Sequence, residues 1–153
     1  MISVKKTLCA LAIASSAVYL GGCDTMQSAA NTAGGWVGMD STSRVKLTGA
    51  EEVPAVSTSA SGEGSFKIAK DGSVSGSVTT TGIAGTAAHI HRGAAGQNGP
   101  VIVPLQKSGD TYTAPANAKL SEADLKAYHD GNLYVNVHSA AHKGGEIRAQ
   151  LKP

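Results

Sequence analysis

The sequence predicts an all-β fold, an antiparallel Greek-key sandwich with one short helix. Segments that alternate apolar and polar residues recur from about residue 44 onward, and clusters of Gly, Asn and Pro separate them. Small residues dominate, with 19 Gly and only 4% aromatic residues. Short strands at such spacing favour a sandwich or a closed barrel over a helical bundle. Residues 44–153 have the length of a single domain with one core.

The first 22 residues predict a bacterial lipoprotein signal peptide. Lys5 and Lys6 supply positive charge, and residues 8–20 are almost wholly apolar. This apolar run is shorter than the ~20 residues of a membrane-spanning helix, and small residues follow it. The Leu-Gly-Gly-Cys run that ends at Cys23 resembles the lipobox, in which the cysteine receives a diacylglycerol lipid and becomes the first residue after cleavage. An ordinary secretory signal with an incidental cysteine is the alternative.

Residues 23–43 predict a lipidated, flexible tether, because they are rich in Ala, Ser, Thr and Gly and show no sustained periodicity. A chain of this length reaches about 25 Å on average, enough to clear lipid headgroups. Since Cys9 lies in the predicted signal and Cys23 would carry lipid, no thiol remains for a disulfide or a metal. We therefore expect an exported protein on the inner or outer membrane, facing the periplasm or the cell surface. Its partners would be the lipid bilayer and an envelope protein.

The charge balance argues against a nucleic-acid partner. Removing Lys5 and Lys6 from the 13 basic residues leaves 11, and 11 acidic residues all follow Cys23, so the mature chain is formally neutral. Proteins that bind nucleic acids concentrate basic charge to displace counterions from phosphates.

A first strand and a hairpin open the predicted domain. The first strand starts at Arg44 and alternates apolar with basic residues before Gly49. Two further alternating segments flank a turn, and a three-residue loop that ends at Gly72 would place Ile68 opposite Val74, apolar against apolar, with Gly72 in the left-handed conformation. Later strands are predicted at 87–91, 101–105, 111–113, 133–138 and 146–151.

The predicted helix begins after Ser121. This serine can cap the helix, and Asp124 three residues on can return the hydrogen bond, while Leu120 can pack on Leu125. Gly131 ends the helix.

Histidines on two predicted strands indicate a metal site. His89 and His91 are two residues apart on a strand, so they share one face about 6.5 to 7 Å apart. Alternation along 133–138 places His138 on the polar face of its own strand, and His142 follows in a loop. If the strands are neighbours, these imidazoles converge. Imidazole ligands without thiolate suit copper best and zinc as the alternative. Exposed histidines that bind nothing are the other interpretation.

Glu52 and Arg148 are candidates for a structural ion pair, since one lies near the first strand and the other in the last. No catalytic residues are predicted, because Ser139 beside His138 does not have the spacing of a triad. His129 lies near the helix end, where its positive form would favour the helix dipole.

Five segments of the domain together resemble the CHRD domain, a family named for chordin and widespread in bacteria. They run in order from about Arg44 to Leu151 and consist of Glu51-Glu52-Val53-Pro54, Ala88-His89-Ile90-His91-Arg92-Gly93, Gly96-Gln97-Asn98-Gly99-Pro100, Leu133-Tyr134-Val135-Asn136-Val137-His138 and Gly144-Gly145-Glu146-Ile147-Arg148. The resemblance implies an immunoglobulin-like or copper-zinc superoxide dismutase-like sandwich.

The parallel with copper-zinc superoxide dismutase concerns the copper ligands. His89 and His91 are similar to its paired copper histidines, and His138 to a later copper ligand. The chain departs from that enzyme because it lacks the bridging histidine, the zinc loop and the disulfide. This departure argues against dismutase activity.

Three functions follow as hypotheses. The first is a lipid-anchored envelope domain that binds a divalent metal through His89, His91 and His138, with His142 as a further candidate, for metal storage, handling or sensing. The second is a non-catalytic adhesion or scaffold module without metal. The third is a redox enzyme that uses bound copper, which requires an open coordination position.

Overall fold

The computed structural model describes residues 40–153. The predicted signal peptide, the lipidation site Cys23 and most of the predicted tether lie outside these described residues. Within 40–153, no helix combines the length and the apolar character needed to span a bilayer.

The described chain contains nine strands and one α-helix, and all paired strands are antiparallel. The all-β prediction with one short helix is therefore confirmed. In chain order the elements are β1 (Ser41–Thr48), a 3-10 helix (Gly49–Glu51), β2 (Ser61–Ile68), β3 (Val74–Thr81), β4 (Gly85–Arg92), β5 (Val101–Pro104), β6 (Gln106–Ser108), β7 (Thr111–Thr113), α1 (Glu122–His129), β8 (Leu133–Ser139) and β9 (Ile147–Leu151).

The main differences from the sequence-based expectation concern β1 and β6. β1 begins at Ser41 rather than at Arg44, so the end of the predicted tether is part of the sheet. β6 was not predicted, because all three of its residues are exposed and it carries no apolar alternation.

One continuous sheet in the order β5-β4-β8-β9-β1-β2-β3-β7-β6 surrounds the core. Its two edge strands, β5 and β6, are separated in the chain by Leu105 alone, whose N–H donates to Ala88 O at 3.0 Å. Because one residue spans only ~3.5 Å, the two edges of the sheet lie together. The sheet therefore closes on itself, between a sandwich and a barrel. At the β1–β9 junction only Thr48 and Arg148 are paired.

The first hairpin has the predicted register. Ile68 lies opposite Val74, and both side chains are buried in the core. Ala69 N–H donates to Ser73 O at 2.9 Å, which leaves a three-residue loop ending at Gly72. The φ of Gly72 is +86°, the left-handed conformation that glycine adopts at no steric cost.

Helix α1 is capped as the sequence predicts. The Ser121 hydroxyl accepts the Asp124 N–H at 3.1 Å and donates to the Asp124 carboxylate at 2.6 Å, so the return bond reaches the hydroxyl and not the backbone N–H. Gly131, with φ +74°, follows the helix end. An ion pair between Arg92 and Asp124 at 3.1 Å connects α1 to the end of β4, beside His91.

Candidate metal centre

The pairing of β4 with β8 brings the histidines of both strands to one face of the sheet. In this register Ala87 is opposite His138, His89 is opposite Asn136, and His91 is opposite Tyr134. The other face belongs to the core, where Ala88, Ile90, Val135 and Val137 are fully buried. The predicted parity of both strands is thus correct.

Three imidazoles converge at this face. His89, His91 and His138 each offer a ring nitrogen, and these three nitrogens lie within 4.8 Å of one another. His89 Nδ1 is 2.9 Å from His138 Nε2. The ring centroids are 4.8 Å apart for His89 and His138, 5.6 Å for His89 and His91, and 6.1 Å for His91 and His138.

Backbone carbonyls determine which nitrogens carry a proton. His91 Nδ1 donates to Gly99 O at 2.9 Å, and His138 Nδ1 donates to Lys143 O at 2.9 Å. A carbonyl can only accept, so in the neutral form of each ring Nε2 keeps its lone pair. Metal-binding histidines have this arrangement, because the outer hydrogen bond fixes both the tautomer and the orientation of the ring.

The distances fit one ion with modest adjustment. His89 Nδ1 and His138 Nε2 are 2.9 Å apart because the first donates a hydrogen bond to the second, whose ring carries its own proton on Nδ1. An ion that replaced the His89 proton would need little movement of the two rings, since two nitrogens that each lie ~2.05 Å from an ion at a right angle are also about 2.9 Å apart. Tetrahedral ligands are about 3.4 Å apart, so a pair at the 4.8 Å limit must approach by about 1.5 Å. In addition, His91 Nε2 is buried and has no hydrogen-bond partner. A bound metal ion would give this nitrogen a partner.

Burial favours the neutral imidazoles that bind metals. Desolvation lowers the pKa of His89, and the neighbouring rings of His138 and His91 lower it further. Desolvation also lowers the pKa of His91, against the Gly99 hydrogen bond, which raises it. Neutral rings keep a lone pair for an ion at neutral pH.

The face of the His91 ring stacks on an aromatic ring. The His91 ring is parallel to that of Tyr134, at 4.7 Å between centroids and an interplanar angle of 5°. The Arg148 guanidinium carbon lies 3.4 Å from the centroid of the same Tyr134 ring. Arg148 also donates to Ala94 O at 3.1 Å and to Asn98 Oδ1 at 3.4 Å, which anchors the loop that carries Gly99.

Glu52 and Arg148 are both buried, but they form no direct salt bridge among residues 40–153. Desolvation raises the pKa of Glu52, while Arg148 and Asn136 favour its charged form. The two charges interact through space in a region of low dielectric. Breaking such an arrangement leaves one buried charge uncompensated.

The structure does not group the other two predicted histidines with these three. His142 does not belong to the ligand cluster found within the described chain. It interacts electrostatically with Glu146, whose pKa is lowered mainly by a hydrogen bond from Ser139. His129 lies at the end of α1, with its ring 5.6 Å from that of Tyr128.

Sequence reasoning did not assign Tyr134 and Asn136 to the site. Both are buried, yet they lie on the same side of β8 as His138. Their position on the same face as His138 was the sequence signal that could have assigned them to the site. Their burial was not predictable, because it depends on loops that cover the sheet.

One comparison with known proteins agrees with the sequence motifs. A family model described as the CHRD domain matches residues 43–151, which confirms the predicted resemblance. Neither a search of curated proteins nor a search of solved structures found a match.

Proposed function

For this chain, which belongs to the CHRD domain family, we propose that a divalent metal ion binds through His89, His91 and His138. One observation carries the proposal, namely the convergence of the three ring nitrogens within 4.8 Å of one another. The carbonyls of Gly99 and Lys143 support it, because they hold the protons of His91 and His138 on Nδ1 and leave the lone pair of each Nε2 directed at the cluster. In the ion-free protein the Nε2 of His138 accepts a hydrogen bond from His89 Nδ1, and an ion would take the place of that proton.

Copper is the first choice of metal and zinc the second. The ligand set is entirely imidazole nitrogen, and no cysteine follows Cys23 in the sequence. Divalent copper binds nitrogen sites more tightly than the other first-row divalent ions. Zinc accepts the same ligands, so a competition between the two ions distinguishes them.

The proposed setting is the bacterial cell envelope. We infer from the lipobox-like run before Cys23 that lipid on this residue holds the domain at a membrane surface. There the domain would store, deliver or sense the metal. Mass spectrometry of the protein purified from membranes tests the anchor, since a Cys23→Ser variant should lose the lipid and leave the membrane fraction.

Metal titration tests the site. The full chain, purified in detergent, is titrated with Cu(II) against a competing chelator. The double variant His89→Ala, His91→Ala should bind Cu(II) more than about 100-fold more weakly than the wild type. This exceeds the loss expected when only a hydrogen-bond partner of a ligand is removed. The matched control is His129→Ala, His142→Ala, which removes two imidazoles outside the cluster and should keep the wild-type affinity.

Two outcomes contradict the proposal. Equal affinity of the wild type and of the His89→Ala, His91→Ala variant would refute this site. Absence of any tight binding by the wild type would refute the metal function and favour a non-catalytic adhesion or scaffold module, to be identified by its crosslinked partner.

A further inference from the structure

Two buried oxygen atoms beside the histidines lack hydrogen-bond partners. They are Glu52 Oε1 and Asn136 Oδ1, in residues only 5% and 2% exposed. His91 Nε2 is a third buried acceptor without a partner. Such atoms are rare in folded proteins and indicate a missing donor or ion.

The three atoms belong to one neighbourhood. Asn136 lies opposite His89 in the sheet and two residues before His138 on β8. Its side chain interacts with both Glu52 and His91, lowering the pKa of the first and raising the pKa of the second. The Glu52 carboxylate and the Asn136 amide meet at Gly145, where a side chain would collide with both.

The unpaired oxygens of Glu52 and Asn136 need a hydrogen donor, and the unpaired nitrogen of His91 needs a donor or an ion. The buried Arg148 lies over the Tyr134 ring that stacks on His91, and its charge favours the ionised form of Glu52. Glu52 and Glu146 are the buried acidic residues in the described part of the chain, and of the two Glu52 interacts with Asn136. Bound metal makes its water ligand a strong, acidic hydrogen donor.

We propose that Glu52 and Asn136 hold an exchangeable water molecule as the fourth ligand of the metal. The water would donate one hydrogen to Glu52 Oε1 and one to Asn136 Oδ1, which satisfies both atoms. Three histidines plus water is the ligand set of an open metal site, in contrast to a closed structural one. Glu52 is then a positioning residue, whose charge also favours divalent over monovalent ions. This inference rests on the proposed function.

The water ligand is tested with Cu(II)-loaded wild-type protein. Its electron paramagnetic resonance spectrum is recorded in ordinary water and in water enriched in oxygen-17. Broadening in the enriched sample is expected, since a directly bound oxygen-17 nucleus couples to the copper spin. An unchanged spectrum from a copper-loaded protein would overturn the inference and leave the three-histidine site intact.

The role of Glu52 is tested by ion selectivity. Glu52→Gln keeps the shape of the side chain and removes its charge, so Cu(II) affinity should fall about tenfold more than affinity for the monovalent Ag(I). Glu51→Gln makes the same chemical change at the exposed neighbouring residue and should alter neither affinity. If Glu52 had only a structural role, Glu52→Gln would lower the affinities for Cu(II) and for Ag(I) by the same factor.

The outcomes separate the two proposals. Equal losses for Cu(II) and Ag(I), or no loss, in Glu52→Gln would overturn the role given to Glu52. Absence of metal binding by the wild type would overturn the proposed function and this inference together.

Discussion

The outer face of the sheet is exposed to solvent in one part of the molecule and covered in another. In β1, β2 and β3, which we call the alternating half, core residues alternate with exposed or half-buried ones, as in Arg44, Val45, Lys46 and Leu47. In β8 and β9, the centre of the covered half that also includes β4, nearly every residue is buried. An antiparallel sheet with one solvated face should alternate. The covered half therefore has something packed on its second face.

Loops supply that second layer. The segment after β4 hydrogen-bonds to His91 through Gly99 O, and Asn98 donates to Val53 O at 2.7 Å in the segment after β1. Beneath these loops lie His91, Asn136 and Arg148, which are buried and polar. Burying polar groups costs free energy unless they are paired. The covered half thus carries its polar groups at a cost in stability, which is typical of a binding site.

Substitution of an arginine should show the largest difference in stability between the two halves. Arg148→Gln in the covered half should lower the free energy of unfolding by about 3–5 kcal/mol, because it removes a buried charge that favours ionised Glu52, together with its hydrogen bonds to Ala94 O and Asn98. Arg44→Gln on the exposed face of β1 should change it by less than about 0.5 kcal/mol. Urea unfolding followed by circular dichroism measures both. Similar small changes at the two positions would contradict the distinction between the halves.

Alanine substitution of two neighbouring glycines should give a smaller difference in stability. Gly145 has φ +132°, and a Cβ there would meet the Glu52 carboxylate and the Asn136 amide. Gly145→Ala should therefore cost about 1–3 kcal/mol. Gly144→Ala is the control, since nothing lies within 4 Å of its added Cβ. If both alanine variants have equal melting temperatures, the packing around Glu52 is not as described.

Acidification should weaken the covered half selectively. The pKa values of His89 and His91 are lowered in the fold, so the unfolded chain binds more protons than the folded one below the ordinary histidine pKa of ~6.5. The stability of the metal-free protein is then complete above ~6.5 and declines as pH falls through this value towards the folded pKa values. Unfolding measured between pH 8 and 5 should show this decline, and His89→Ala, His91→Ala should flatten it. An equally steep decline in that variant would assign the effect to other groups.

The sequence predicts the alternating half better than the covered half, for a physical reason. Alternation in β1 to β3 reports directly which side chains face the core, and the Gly72 loop sets the register of Ile68 and Val74. Strand parity also placed His89, His91 and His138 on the polar faces of their strands, but the pairing of β4 with β8 that brings them together was only a condition of that prediction. The second layer over Tyr134 and Asn136 depends on contacts between distant loops, which no local pattern encodes. The same limit applies to the closure of the sheet at Leu105.

The proposed metal site is tested most directly by a crystal structure of the copper-loaded protein, with the copper located by its anomalous scattering. We expect one ion about 2.0–2.1 Å from His89 Nδ1, His91 Nε2 and His138 Nε2. Copper bound elsewhere, or no ordered copper on the covered half, would contradict the account.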